Sequence, residues 1–141
     1  MATQGKSDID TVIERIRSLQ RMSDLRVEEF AVEDGLADQV VKAVGTSQLK
    51  PTQLRKVFHT LKGIQQRVKQ APEPDPFNSA ELLKLMPVLA YAVGRDLIPR
   101  DFYRLLKEVF EPKRLRTNAD FLRAFDFVEA ILAYHKYRGG K

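Results

Sequence analysis

The sequence contains no cysteine, which removes disulfides, thiolate metal sites and cysteine nucleophiles together. It has two histidines, His59 and His135, far apart along the chain, and neither has a carboxylate or second histidine at metal-ligand spacing on its own helix. The seven glycines are scattered, and neither a P-loop pattern nor a GxGxxG fingerprint occurs to cradle phosphates. Long apolar runs are missing too. The longest strongly apolar stretch, Met86 to Val93, is far short of a bilayer span and is interrupted by Pro87. The opening residues, MATQGKSDID, lack the apolar centre of a secretory signal. From these absences we expect a cytoplasmic protein with no catalytic residues, no metal site and no cofactor, and with no part in a membrane. Asp126 and Glu129, three apart, invite an acid–base reading, but acidic pairs at that spacing are usually solvated or salt-bridged.

What is present describes an ordinary globular chain. Its 141 residues, 43% hydrophobic and 30% charged, suit a single domain, here 1–141, able to sustain a core without staples. The formal charge of +5 and a pI near 9.6 favour an anionic partner such as nucleic acid.

Apolar residues recur at steps of three and four along nearly the whole chain, the spacing of a helical face. Ile9, Val12, Ile13, Ile16 and Leu19 predict a helix over about 8–22, opened by Ser7 and Asp10 in a capping-box arrangement. Leu36, Val40, Val41 and Val44 predict a second over 34–44, stopped by Gly45. Pro51 suits the first position of a third, whose stripe is Leu54, Val57, Phe58, Leu61, Ile64 and Val68. Three prolines in APEPDPFNS end it and make 71–78 the one candidate loop or hinge.

Asn78 and Glu81 start the next helix, which is apolar around much of its circumference and so expected to be central, with Pro87 kinking or dividing it. Another opens at Pro99 with Phe102, Leu105, Leu106, Val109 and Phe110. The last opens at Thr117 and Asp120, carries Phe121, Phe125, Val128 and Leu132, and stops at Gly139-Gly140. His135 continues that line and reads as a histidine closing a core stripe. No stretch alternates with the two-residue period of a strand. The expectation is an all-α bundle of five to six helices, with flexible ends at 1–6 and 139–141.

Charge distribution is more informative than the total. No acid lies between Asp38 and Glu73, whereas six bases fall from Lys50 to Lys69: Lys50, Arg55, Lys56, Lys62, Arg67 and Lys69. On a helical wheel Arg55, His59, Lys62, Gln66 and Lys69 share an arc of about 80°, mostly opposite the apolar stripe. A solvated face with no binding role normally mixes signs. A one-signed face is what neutralising phosphates requires. A second basic group, Lys136, Arg138 and Lys141, closes the chain, although bases there also complement the helix dipole. Tyr134 and Tyr137 read as edge-of-core packing in preference to base-stacking aromatics.

At these residues a resemblance emerges. FVEAILAYHKYRGGK, from Phe127 to Lys141, resembles the closing motif of the small subunit of type III-A CRISPR effector complexes, the Csm family. LKPTQLRKVFHTLKGI, from Leu49 to Ile64, is similar to that family's basic helix, and MPVLAYAVGR, from Met86 to Arg95, to its central segment. The likeness covers about Leu49 to Lys141. It departs at Pro51, where a Ser/Thr-rich cap is common, and at Val57 and His59, which replace aromatic or acidic positions.

The resemblance implies a non-catalytic helical protein, several copies of which stack head to tail along guide RNA and target RNA. They would lie beside backbone and large subunits that hold the nuclease and cyclic-oligoadenylate chemistry. By position it implies RNA contacts from the basic helix, from Arg95 and from Lys136. Together with the charge pattern, the candidate RNA-binding residues are Lys50, Arg55, Lys56, Lys62, Lys69, Arg95, Lys136 and Arg138. The acidic block Glu28, Glu29, Glu33, Asp34 and Asp38 is a candidate contact to the next copy. A protein-only adaptor docking an acidic partner, and the small subunit of a related type III-B complex, are the alternatives.

Overall fold

The computed structural model describes residues 8–139. Eight α-helical segments follow one another: α1 Asp8–Arg17, α2 Val27–Phe30, α3 Leu36–Val44, α4 Pro51–Val68, α5 Ala80–Leu83, α6 Leu85–Gly94, α7 Arg100–Val109 and α8 Asn118–Tyr137. Six are real helices and two, α2 and α5, are single turns, so the all-α bundle expected from periodicity is what forms. The described residues contain no strand beyond an isolated bridge between Pro76 and Thr117. The expected flexibility of 1–6 and 140–141, and the Ser7 cap, lie outside the described residues.

α1 stops at Arg17, earlier than its apolar spacing predicts. The Ser18 hydroxyl donates to the Arg15 carbonyl at 2.6 Å, giving the chain a local alternative to the next helical turn. Leu19, Met22 and Leu25 still bury, carried by a tight turn over 22–24. α3 ends as expected: Gly45 takes φ +80°, a region L-residues avoid, and its N–H closes the helix on the Val41 carbonyl.

The central helix is α8, which corrects the expectation that the apolar segment around Pro87 would be central. α8 buries Phe121, Ala124, Phe125, Phe127, Val128 and Ile131 and packs against α3, α4 and the 22–24 turn. Burying a phenylalanine is worth about 1.5–3 kcal/mol. The three on α8 therefore outweigh the alanines, glycine and proline that make α6 apolar without giving it bulk. Phe30 meets Phe127 edge to face at 5.7 Å, and Phe77 stacks on Phe121 at 4.7 Å.

The segment from Ala80 to Gly94 is divided at Lys84. Pro87 has no N–H to return to the Leu83 carbonyl, so the break falls one turn before it and Pro87 sits in the first turn of α6. α6 lies at the periphery. It buries Leu85, Leu89 and Ala92 but leaves Val88 59% and Tyr91 65% exposed.

The Pro-rich 71–78 stretch carries no helix and is fastened to the start of α8. The carbonyls of Glu73 and Asp75 accept the N–H groups of Ala119 and Asn118 at 3.0 and 2.9 Å. The Asn118 side chain donates to the Pro72 carbonyl at 3.0 Å. The loop thus satisfies donors that the first turn of α8 would otherwise leave open. No helix among the described residues is long and apolar enough to cross a membrane.

Candidate nucleic-acid interface

α4 positions the basic face. Leu54, Val57, Leu61 and Ile64 are buried, so helical geometry turns Arg55, Lys56 and His59 outward, and all three are exposed. Lys62 is half-buried because its ammonium lies 5.6 Å from the Phe125 ring centre, a cation–π contact across to α8. Arg55, Lys56, Lys62 and Lys69 have no carboxylate partner among the described residues. Arg67 does, pairing with Glu81 on α5. Lys50, just ahead of α4, donates to the Ser47 carbonyl at 3.2 Å and stays exposed. Lys69 caps the far end, about 27 Å along a helix of this length.

The tertiary structure joins part of this face to the end of α8. Where α4 and α8 pack, a cleft of about 430 Å³ opens between Pro51, Arg55 and Phe58 on one side and Glu129, Leu132 and Lys136 on the other. A shallower groove of about 760 Å³ continues along α4 past Lys56, His59 and Lys62, sharing Arg55 and Phe58 with the cleft. Phe58 and Leu132, both half-buried, line the cleft, where the apolar stripes of the two helices run out. Their place at the stripe margins was legible in the sequence; their meeting was not. His135 also lines the cleft but is otherwise buried, its Nε2–H donating to the Leu49 carbonyl at 2.8 Å, a core-closing role as its position in the stripe suggested.

Other candidates fall elsewhere. Arg95 follows α6, donating to the Tyr91 hydroxyl at 2.9 Å and lying over that ring at 5.7 Å; no contact brings it to the cleft. Arg138 differs from the rest. Its guanidinium clasps Asp38 at 2.5 and 2.7 Å and lies 3.9 Å from both Glu33 and Asp34. That fork holds the buried Asp38 carboxyl down at about 2, aided by the Asp34 N–H. Unlike Arg55, Lys56 and Lys62, Arg138 is therefore paired within the chain. Lys141 lies outside the described residues.

The acids of the acidic block each have a partner within the chain, although only Asp38 is buried. Glu28 pairs with Arg26 at 3.0 Å, Glu29 with Arg15 at 2.8 Å and Asp34 with Lys42 at 2.6 Å. Glu33 accepts from the Tyr137 hydroxyl at 3.2 Å, and Tyr134 donates to the Ala31 carbonyl at 2.7 Å. Tyr134, Tyr137 and Arg138 thereby fasten the end of α8 to residues 31–38. No three His, Asp or Glu among the described residues are grouped to hold a metal ion.

The family model described as Csm2 Type III-A matches residues 29–141. The chain belongs to the Csm2 family. It is a small subunit of a type III-A CRISPR effector complex, as the three motifs from Leu49 onward implied, and the match reaches further back to take in the acidic block from Glu29 on. No curated protein and no solved structure matches the chain. In this Csm2 chain the free cations Arg55, Lys56, Lys62 and Lys136 border one continuous concave surface between α4 and α8.

Proposed function

We propose that this Csm2 chain is a non-catalytic, cytoplasmic RNA-holding subunit, several copies of which stack along guide and target RNA in antiviral defence. The observation that carries the reading is the outward face of α4. Arg55, Lys56 and Lys62 stand there without carboxylate partners among the described residues, although acids compensate bases elsewhere in the molecule. Free cations on a groove that continues to Lys136 suit phosphate neutralisation. Guide pairing would read the sequence, leaving this chain to recognise backbone charge and shape. The exposed apolar side of α6, with Val88 and Tyr91, supports membership of a larger assembly, since such patches mark contact surfaces.

The test is the triple variant Arg55→Ala, Lys56→Ala, Lys62→Ala, with RNA affinity measured across a salt series. The fold should survive, because Arg55 and Lys56 are exposed and Lys62 only half-buried. Affinity should fall, and the slope of log affinity against log salt should shrink by about 0.7 for each phosphate on a single strand that is no longer neutralised. Unchanged affinity and slope in the folded variant would instead favour a protein-only adaptor whose basic face docks an acidic partner.

A further inference from the structure

Six large hydrophobic side chains are exposed among the described residues, and they fall into two groups. Val27 and Val32 stand on and just after α2, and Tyr137 joins them there through its hydroxyl, which donates to Glu33 at 3.2 Å. Leu83, Val88 and Tyr91 belong to α5 and α6. The groups lie on opposite sides of α8. Phe30, at the end of α2, packs on Phe127 at 5.7 Å, whereas Phe58 of α4 packs on Phe125 at 5.2 Å. Two residues turn a helix by about 200°, so α2 and α4 approach α8 from nearly opposite directions. α6 lies on the α4 side, where a pocket of about 80 Å³ opens between Lys56 and Val57 of α4 and Val88 and Leu89 of α6. The groups differ in charge as well. Glu28, Glu33 and Asp34 surround the first and are exposed. Each has a partner within the chain, but an ionised carboxylate has about four acceptor sites and, when exposed, still takes a donor from another molecule. The second group is flanked by bases. Lys84, Val88, Tyr91 and Arg95 share an arc of about 60° on the helix, and neither Lys84 nor Arg95 has a carboxylate partner among the described residues. Arg95 lies over the Tyr91 ring at 5.7 Å, which keeps its charge at the edge of the patch.

We propose that these two surfaces meet between successive copies of this chain, with Val27, Val32 and Glu33 of one copy against Val88, Tyr91 and Arg95 of the next. The inference rests on the stacking in the reading above and assigns the surfaces that make it. Two different patches on opposite sides of one molecule give a heterologous contact, which passes from copy to copy. A patch meeting its own twin would set like charges against each other, which costs binding. Here the apolar side chains supply attraction and the unlike charges fix register. Lys56 and Thr60 line both the cationic groove of α4 and the pocket beside Val88. The groove of one copy therefore reaches the edge where the next copy begins, as a surface that follows an RNA backbone past several copies requires.

The experiment is sedimentation velocity of the full chain without RNA, at concentrations up to about 1 mM, enough to register a contact of millimolar strength. The native chain should form species that lengthen as concentration rises. Val32→Lys, and separately Val88→Ser with Tyr91→Ala, should each weaken association at least about tenfold. Circular dichroism should stay unchanged, because all three side chains are exposed. The two variants mixed should form a dimer and nothing longer, since each keeps the surface that the other has lost. A native chain that stays monomeric, a variant that associates as well as the native chain, or a mixture that remains monomeric or grows past the dimer overturns the contact. Oligouridine long enough for one copy, titrated in parallel, reads the RNA-holding function by itself. Native affinity for it in both variants leaves that reading standing even where the contact fails. Association without any oligouridine binding keeps the contact and overturns the RNA-holding reading instead.

Discussion

Asp120→Asn tests how the start of α8, and with it the helix carrying Glu129 and Lys136, is held in place. The Asp120 carboxylate is fully buried. It accepts from the Arg21 guanidinium at 3.0 Å and from the N–H groups of Ser23, Arg116 and Thr117 at 3.2, 2.9 and 3.0 Å. Burial by itself would raise its pKa, but the donors from Ser23, Thr117 and Arg21 outweigh that and hold it at about 2, against 3.8 unperturbed. A shift of that size corresponds to about 2 kcal/mol. Because Arg21 is 36% exposed, solvent screening reduces the figure to about 1–2 kcal/mol. The pKa is depressed on folding, so this stability is fully present above pH 4 or so. It is lost as pH falls through about 2.

Asparagine keeps one acceptor oxygen and turns the other into a donor. With the amide nitrogen in place of Oδ2, the Arg116 and Thr117 N–H groups lose their acceptor; with it in place of Oδ1, Ser23 does. Each buried unsatisfied donor costs about 1–3 kcal/mol, so the variant should lose about 2–4 kcal/mol at pH 7. A chain of this size should then melt about 10 °C lower. Urea unfolding followed by circular dichroism at neutral and strongly acid pH supplies the measurement. The gap between native chain and variant should narrow by about 1–2 kcal/mol in acid, because only the native chain has this carboxylate to titrate. Asp38 titrates in the same window in both proteins and cancels. A gap identical at both pH values, or a loss below about 0.5 kcal/mol at pH 7, which is ordinary for a surface change, would refute the reasoning.

Arg138 and Lys136 lie two residues apart and should separate cleanly: Arg138→Ala lowers the melting temperature and leaves the salt slope of RNA binding alone. Lys136→Ala does the reverse, reducing the slope by about 0.7; both are read from thermal melts and a salt titration. His135→Ala removes a packed ring and strands the Leu49 carbonyl, so chemical denaturation should register a loss of about 2–4 kcal/mol.

Much of the architecture is legible in the amino-acid order. The stripe of Leu54, Val57, Leu61 and Ile64 fixes which side of α4 is dry, and 3.6-residue geometry then forces Arg55, Lys56 and His59 outward. Thr117 and Asp120 announce the start of α8, and the Thr117 N–H does donate to Asp120. These features are local, encoded within a few turns of one helix, and the family motifs from Leu49 onward are local strings as well. Which helix would be central was not local. α6 and α8 are both rich in apolar residues, and the choice between them depends on side-chain bulk competing for one interior, a comparison periodicity does not make.

The sequence by itself therefore determined the helices, the dry and wet sides of α4, and the family. Tertiary structure alone decided which charges are free. Arg138 and Lys136 look alike in sequence, but Asp38, a hundred residues upstream of Arg138, folds against one and not the other. It also brought Glu129 to the same cleft as Arg55, from helices far apart in the chain. An ion pair or a cleft is a relation between distant segments, and charge is neutralised only when folding brings its partner within reach.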